Sequence, residues 1–384
     1  MQSVVKNDIK KTKREPAKRI DYIILSSVIL LVIIGVLMIF SASSVQASYE
    51  YNDSTKFLRS QLQFAAIGFV LMYIASKLNY KIYKKYAFII YVFNIFLLAL
   101  TLSPLGVNVG GAKRWLNLIF LRFQTSEFSK FACIVMTAYF IDLNKYTMHK
   151  LKSVIIPIGF LILNCALIYV QPSFSAMSII LMVGLIMIFI GGMSVKFMLI
   201  SAVPFAVAII TLMMKQQYRM ARLMSFLDPF KDTAGRDWQI SNSIYAMASG
   251  GLFGVGFGKS TQKYFYISQP QNDFIFAVIA EEFGFLMSVA LIFIYVFLIF
   301  RIFRLFVDTK DTFGKMLVCG IGLQLGLQTV MNIGVATSTL PNTGIGLPFI
   351  SYGGTSIIIF LSMTGVLLNI SKYRVSKRKK EVVK

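Results

Sequence analysis

The sequence predicts an all-α integral membrane protein of about ten transmembrane helices, with one long ordered extracytoplasmic loop between the seventh and eighth. Three observations carry that expectation. Hydrophobic residues fill 57% of the 384 positions and charged ones only 14%, which is more apolar surface than a soluble domain of this length can bury. Uncharged stretches such as Tyr22 to Phe40, Phe197 to Met214 and Phe283 to Phe300 are each long enough to cross a hydrocarbon core. Finally, the formal charge of +23 is gathered at the two ends and in short connecting loops, the pattern of membrane orientation and not of nucleic-acid recognition.

Hydrophobic runs place the spans at 22–43, 62–76, 86–105, 125–142, 153–171, 173–192, 196–214, 274–300, 315–336 and 345–370. They form one polytopic domain over 22–370, between basic tails at 1–21 and 371–384. An even number of spans puts both tails on one side. Lys77, Lys81, Lys84 and Lys85, then Lys145, Lys150 and Lys152, then Arg301, Arg304, Lys310 and Lys315 fall on that same side, so both termini are expected to be cytoplasmic. Tyr22 to Phe40 has full span length and no convincing small-residue cleavage pattern after it, which argues against a cleaved signal.

The opposite face receives loops near 49–61 and 106–125, a short turn at Gln171 and Pro172, and the long segment 215–273. Loops of that length are usually functional or disordered. This one has neither low complexity nor extreme charge, and carries Trp238, an amphipathic stretch from Ile240 to Ser249 and a glycine cluster. It is therefore expected to be ordered over the mouth of the bundle.

Several chemistries are excluded early. Cys133, Cys165 and Cys319 sit inside apolar runs and read as packing residues. His149 is the sole histidine, which nearly excludes a histidine-based metal site or a Ser-His-Asp triad. The run from Gly251 to Ser260 ends like a phosphate-binding loop, but Phe253 stands where that motif needs glycine and no strand precedes it. A close-packed glycine turn is the simpler reading.

Three groups remain as candidate chemistry. Glu127 and Lys130 lie three apart at the start of the fourth span, either as a structural ion pair or as a holder of polar substrate. Asp273 opens an apolar helix and reads either as an N-cap or as a general base beside a low-dielectric wall. Lys113, Arg114, Arg219, Arg222, Lys259 and Lys263, with Trp115, Tyr218, Tyr264 and Tyr266, read as interfacial anchors or as a grip on a lipid diphosphate.

Taken in order, Arg19-Ile-Asp21, Phe40-Ser-Ala-Ser, Gly111-Ala-Lys-Arg114-Trp115, Gln124-Thr-Ser-Glu127-Phe-Ser-Lys130, Gln171-Pro172 and Phe226-Leu-Asp228-Pro229 resemble the SEDS family (shape, elongation, division and sporulation). Ser249-Gly-Gly-Leu, Gly258-Lys-Ser-Thr-Gln-Lys263, Asp273-Phe-Ile-Phe-Ala, Glu281-Glu282-Phe-Gly284 and Leu347-Pro-Phe-Ile-Ser-Tyr-Gly-Gly354 continue the resemblance over nearly the whole chain, and the Gly258 to Lys263 wording is similar to the FtsW and SpoVE branch. The resemblance implies a peptidoglycan glycosyltransferase of the bacterial cytoplasmic membrane that polymerises lipid II and releases undecaprenyl diphosphate. It implies Asp273 as the catalytic carboxylate, with Arg114, Glu127, Lys130, Arg222, Gln239, Lys263 and Ser351 around the substrate. It also implies a class B penicillin-binding protein as partner, and leaves room for a divalent cation, magnesium or manganese, with no organic cofactor.

Three segments depart from the family pattern. Gln124-Thr-Ser-Glu127 lacks the usual helix-entry proline, Gln171-Pro-Ser173-Phe-Ser175 lacks a usual aspartate, and Ile267-Ser-Gln269-Pro-Gln-Asn272 replaces a usual Leu-Pro-Glu. Two acidic positions are thus neutral, which takes two carboxylates from any metal they would hold. A lipid II transporter and an inactive scaffold that recruits a transpeptidase stand as the other readings.

Overall fold

The computed structural model describes residues 19–109, 112–118, 121–214, 217–233, 235 and 237–374. Most of the two basic tails, and the side chain of Arg219, lie outside the described residues. Described elements are α1 (Tyr22–Tyr51), α2 (Lys56–Lys77), α3 (Lys81–Lys85), α4 (Ala87–Leu102), β1 (Gly106–Val109), β2 (Ala112–Leu118), β3 (Leu121–Gln124), α5 (Thr125–Leu143), α6 (Leu151–Val170), α7 (Phe174–Ile190) and α8 (Val195–Met214). The chain continues through α9 (Gln217–Leu227), α10 (Trp238–Gly250), α11 (Ile275–Asp308), α12 (Thr312–Ala336) and α13 (Gly354–Ser371).

Among the described residues, six helices, α1, α2, α6, α11, α12 and α13, are long and apolar enough to cross a membrane, and α4 and α7 are shorter apolar helices. The chain is a multi-pass membrane protein built mainly of helices. Each predicted span overlaps a helix, six of them long enough to cross among the described residues, but four expectations are corrected. α1 runs on to Tyr51 and stops where Asn52 turns left-handed (φ 52°). Residues 345–353 are not helical, and α13 starts only at Gly354. Where a loop was expected at 106–125, β1, β2 and β3 pair as a three-stranded antiparallel sheet in that order. Asp273 does not cap α11: Phe274 holds the N-cap position, with no side-chain cap bond.

One end of the bundle is closed by charges and caps. Asp21 caps α1 by accepting from the Ile23 and Ile24 amides at 3.2 and 3.4 Å. The same buried carboxylate accepts from Arg301 near the end of α11 and from Arg374 after α13, both at 2.7 Å. Beside this clamp, Asn369 accepts from the Tyr80 amide at 2.9 Å and donates to the Ser76 carbonyl at 2.9 Å, tying α13 to the end of α2. Higher up, α13 lies close against α2 because small residues admit it: a Cβ on Gly365 would fall 2.3 Å from the Met72 carbonyl oxygen.

The other end of the bundle carries the segment between α8 and α11. α9 and α10 lead into the glycine segment 250–258, which packs on a break in α11 at Gly284 (φ 76°, ψ −174°). That backbone region is open to glycine alone.

Candidate active site

Asp273 sits half-buried in the short connection ahead of α11, and three pieces of chain converge on it. The first is α12, whose fully buried Asn332 donates through Nδ2 to the Asp273 carbonyl at 2.8 Å and to the Ile345 carbonyl at 2.7 Å. One amide thus fixes the backbone of the acidic residue against the segment before α13. The second is that segment itself. Ser351 Oγ donates to the Asn272 carbonyl at 2.7 Å and accepts from the Leu347 amide at 2.6 Å, while the Tyr352 amide donates to the Gln271 carbonyl at 2.9 Å. The third is α9, where Arg222 Nη1 donates to the Asn342 carbonyl at 3.1 Å.

Gly344 lies between acid and base. A Cβ there would be 3.5 Å from Asp273 Oδ2 and 3.8 Å from Arg222 Nη1, and its own φ of 67° is left-handed. Gly344 therefore leaves the space between Asp273 and Arg222 without a side chain of its own. Asn342 extends the cluster to α10, donating to Gln239 Oε1 at 3.5 Å.

Arg114 arrives by a different route. The β1–β2 register runs Val107 to Trp115 and then Asn108 to Lys113, so Arg114 is the extra residue of a β-bulge. A bulge re-aims the side chain it carries. The guanidinium donates to the Gln171 carbonyl at 3.3 Å and to the Pro172 carbonyl, anchoring the sheet on the α6–α7 turn.

Burial pushes the Asp273 carboxyl above its ordinary value of 3.8, and the positive charges of Arg222 and Arg114 pull the other way. The result is a carboxylate with enhanced proton affinity that still stands in a positive field. Such a group can accept a proton from a hydroxyl while the guanidinium groups receive an anion.

Lys130 and Glu127 form a buried ion pair at 2.6 Å on α5, with Lys130 also donating to Gln328 Oε1 at 3.4 Å. The pair lies inside the bundle, yet it is not isolated from Asp273. Gln324, Gln328 and Asn332 are four apart on α12 and all buried, so they form a polar stripe on one helix face. It leads from the ion pair to the amide that holds Asp273.

Lys263 has other partners. Its amine donates to Glu282 Oε1 at 3.1 Å, to Ser41 Oγ at 3.3 Å and to the Gly258 carbonyl at 2.7 Å, and it is buried. Glu281 is equally enclosed, accepting from Ser260 Oγ, the Thr261 amide and the Thr261 hydroxyl at 2.5 to 2.9 Å.

Sequence reasoning missed Asn332, Asn342 and Gly344. The available signal for Asn332 was a spaced series of amides in an otherwise apolar span. Among the described residues, no three His, Cys, Asp or Glu side chains come together as a metal set. Because Asp273 faces guanidinium charge, the described side chains do not by themselves fit a divalent cation.

A bundle of apolar helices with a carboxylate and guanidinium groups gathered at one end defines a polytopic membrane protein with its polar site there. More narrowly, the chain belongs to the FtsW, RodA and SpoVE family, described as cell cycle proteins, which residues 21–376 match. It is 34% identical over 355 residues to stage V sporulation protein E of Bacillus subtilis (strain 168), covering 92% of this chain and 97% of that protein. It is 37% identical over 353 residues to the "probable peptidoglycan glycosyltransferase FtsW" of Geobacter sp. (strain M18), covering 91% and 96%.

Among solved structures, a chain of a peptidoglycan synthase complex, determined for the structural coordination of polymerization and crosslinking, superposes with a TM-score of 0.76 at 24% identity. It covers 92% of this chain and 97% of that one. The rod shape determining protein RodA of Thermus thermophilus gives 0.69 at 24% identity, covering 93% and 98%. These likenesses establish the fold.

Proposed function

We propose that the chain is a peptidoglycan glycosyltransferase that polymerises lipid II at the outer face of the cytoplasmic membrane and releases undecaprenyl diphosphate. The names of its relatives support the reaction class. The observation that carries the site is the half-buried Asp273 carboxyl, raised in proton affinity yet set in the field of Arg222 and Arg114.

In this reading the Asp273 carboxylate accepts the proton of the acceptor sugar's 4-hydroxyl as that oxygen bonds to the donor's anomeric carbon. The bond from that carbon to the diphosphate oxygen breaks, its electron pair leaves with undecaprenyl diphosphate, and the centre inverts. Arg222 and Arg114 offset the negative charge that develops on the leaving group. Asn332 and Ser351 hold the backbone on either side of the base, and Gln239 supports the 342–344 turn. Glu127 and Lys130 bind more deeply, through the stripe on α12. Lys263 serves by fixing the cover segment. No step in this reading runs through a metal.

The ten-span topology, with the loop 215–273 between the seventh and eighth spans and both tails cytoplasmic, belongs to the same proposal. So does a class B penicillin-binding protein as partner, a reading supported by the likeness to a chain of a peptidoglycan synthase complex. Purified chain in proteoliposomes, with and without that partner, should convert lipid II to glycan strands. Lipid II left unpolymerised under both conditions would remove the reading and leave the scaffold.

The polar stripe from Lys130 to Asn332 specifically favours a second reading, transport of lipid II through the bundle. It predicts lipid II movement without polymerisation, more sensitive to Glu127→Gln than to Asp273→Asn.

A further inference from the structure

The glycine segment after α10 has a backbone and a surface that point in one direction. In a straight α11, the Phe285 and Leu286 amides would pair with the Glu281 and Glu282 carbonyls. At the Gly284 break the loop takes over both halves of those bonds. Phe285 donates to the Gly251 carbonyl at 2.9 Å and Leu286 to the Leu252 carbonyl at 3.2 Å, while the Glu281 and Glu282 carbonyls accept from the Val255 and Gly256 amides, both at 3.0 Å. The Gly254 amide turns back to the Gly250 carbonyl at 2.8 Å. Irregular backbone is excluded from hydrocarbon chiefly by unmet hydrogen bonds, and here the helix meets four of the loop's groups, the Gly251 and Leu252 carbonyls and the Val255 and Gly256 amides.

The side chains separate by chemistry. The carboxylates of Glu281 and Glu282 face inward to Ser260, Thr261, Ser41 and Lys263. Outward go Leu252, Phe253, Val255 and Phe257, with Phe253 80% exposed, and no charged residue occurs from Gly250 to Gly258. This apolar tip is continuous with Phe285, Leu286 and Met287, exposed residues of a helix long enough to span a membrane. Phe257 contacts Phe283 on that helix with ring centroids 6.1 Å apart.

We propose that residues 251–257 form a wedge embedded among the lipid acyl chains at the site end of the bundle, held there by the broken ladder of α11. The occupant of this surface is lipid, because the wedge extends a lipid-facing helix surface without a polar rim between them. A partner protein's apolar face is the competing occupant. The inference stands apart from the glycosyltransferase reading and survives its failure.

The test uses full-length chain in phospholipid vesicles, with Cys319→Ala removing the half-buried native thiol, and nitroxide labels at Phe253→Cys and, independently, Leu252→Cys. Collision with dissolved oxygen and with a water-soluble nickel chelate is compared with labels at Phe285→Cys, on the span, and Tyr49→Cys, on the exposed last turn of α1. The wedge predicts high oxygen and low nickel access at 252 and 253, matching 285, with nickel access several-fold below that at 49. Nickel access equal to that at 49 overturns it. Low access to both reagents also overturns it, since that result means protein cover. If both labelled variants fail to fold, Val255→Cys and Phe257→Cys give the same reading from the same loop.

Discussion

Asp273 is a residue whose ionised form the fold disfavours. Its folded-state proton affinity is raised above the ordinary 3.8, first by burial, against the opposing charges of Arg222 and Arg114. The folded chain therefore binds more protons than the unfolded one between those two values, and stability declines as pH rises through that window. At neutral pH the ionised carboxylate is a cost to stability, so Asp273→Asn is expected to melt at the same or a higher temperature than the parent, by thermal unfolding in detergent. Activity runs the other way, because a general base must be ionised: kcat/KM falls as pH drops through the raised value. Arg222→Gln removes a charge that favours ionisation, so the acidic limb of the pH–rate profile should move to higher pH. An unmoved limb would detach Arg222 from the base. The sequence singled out Asp273, Arg222 and Arg114, since charge in an apolar chain is conspicuous. It did not reveal Asn332 or Gly344, whose roles lie in two carbonyl contacts and an unfilled turn. Of the two readings for Asp273, the N-cap is the one the structure does not show, because Phe274 intervenes before α11.

Elements show the same division between pattern and context. Long apolar helices were legible because lipid selects composition over many residues. The sheet at 106–124 was not, since the bulge at Arg114 breaks the two-residue alternation that marks a strand. The glycine cluster was rightly read as a turn, but its docking on the α11 break depends on Gly284, far along the sequence. The Lys263–Glu282 pair at 3.1 Å holds that docking in a buried setting. Removing one partner leaves the other charge unmet, which costs about 3–5 kcal/mol. Lys263→Met should therefore lower the melting temperature clearly, and Lys263→Met with Glu282→Gln should recover part of the loss. A single variant that melts normally yet raises KM would instead return Lys263 to the substrate.

For the whole molecule, the Asp21 clamp with Arg301 and Arg374 marks one end, and Asp273 with its arginines marks the other. α11 joins them over roughly 40 Å at about 1.5 Å per residue, enough to cross a bilayer. Lys259→Cys should accordingly react with a membrane-impermeant maleimide added outside intact cells, and Lys145→Cys only after permeabilisation. The reverse pattern would put the site on the cytosolic side, away from the proposed chemistry. The most direct test of the central claim is lipid II polymerisation by Asp273→Asn beside the parent chain, reconstituted at equal density with the same transpeptidase partner. Loss of a general base predicts a rate lower by about 10²–10⁴-fold with thermal stability retained. Polymerisation at the parent's rate would contradict the account.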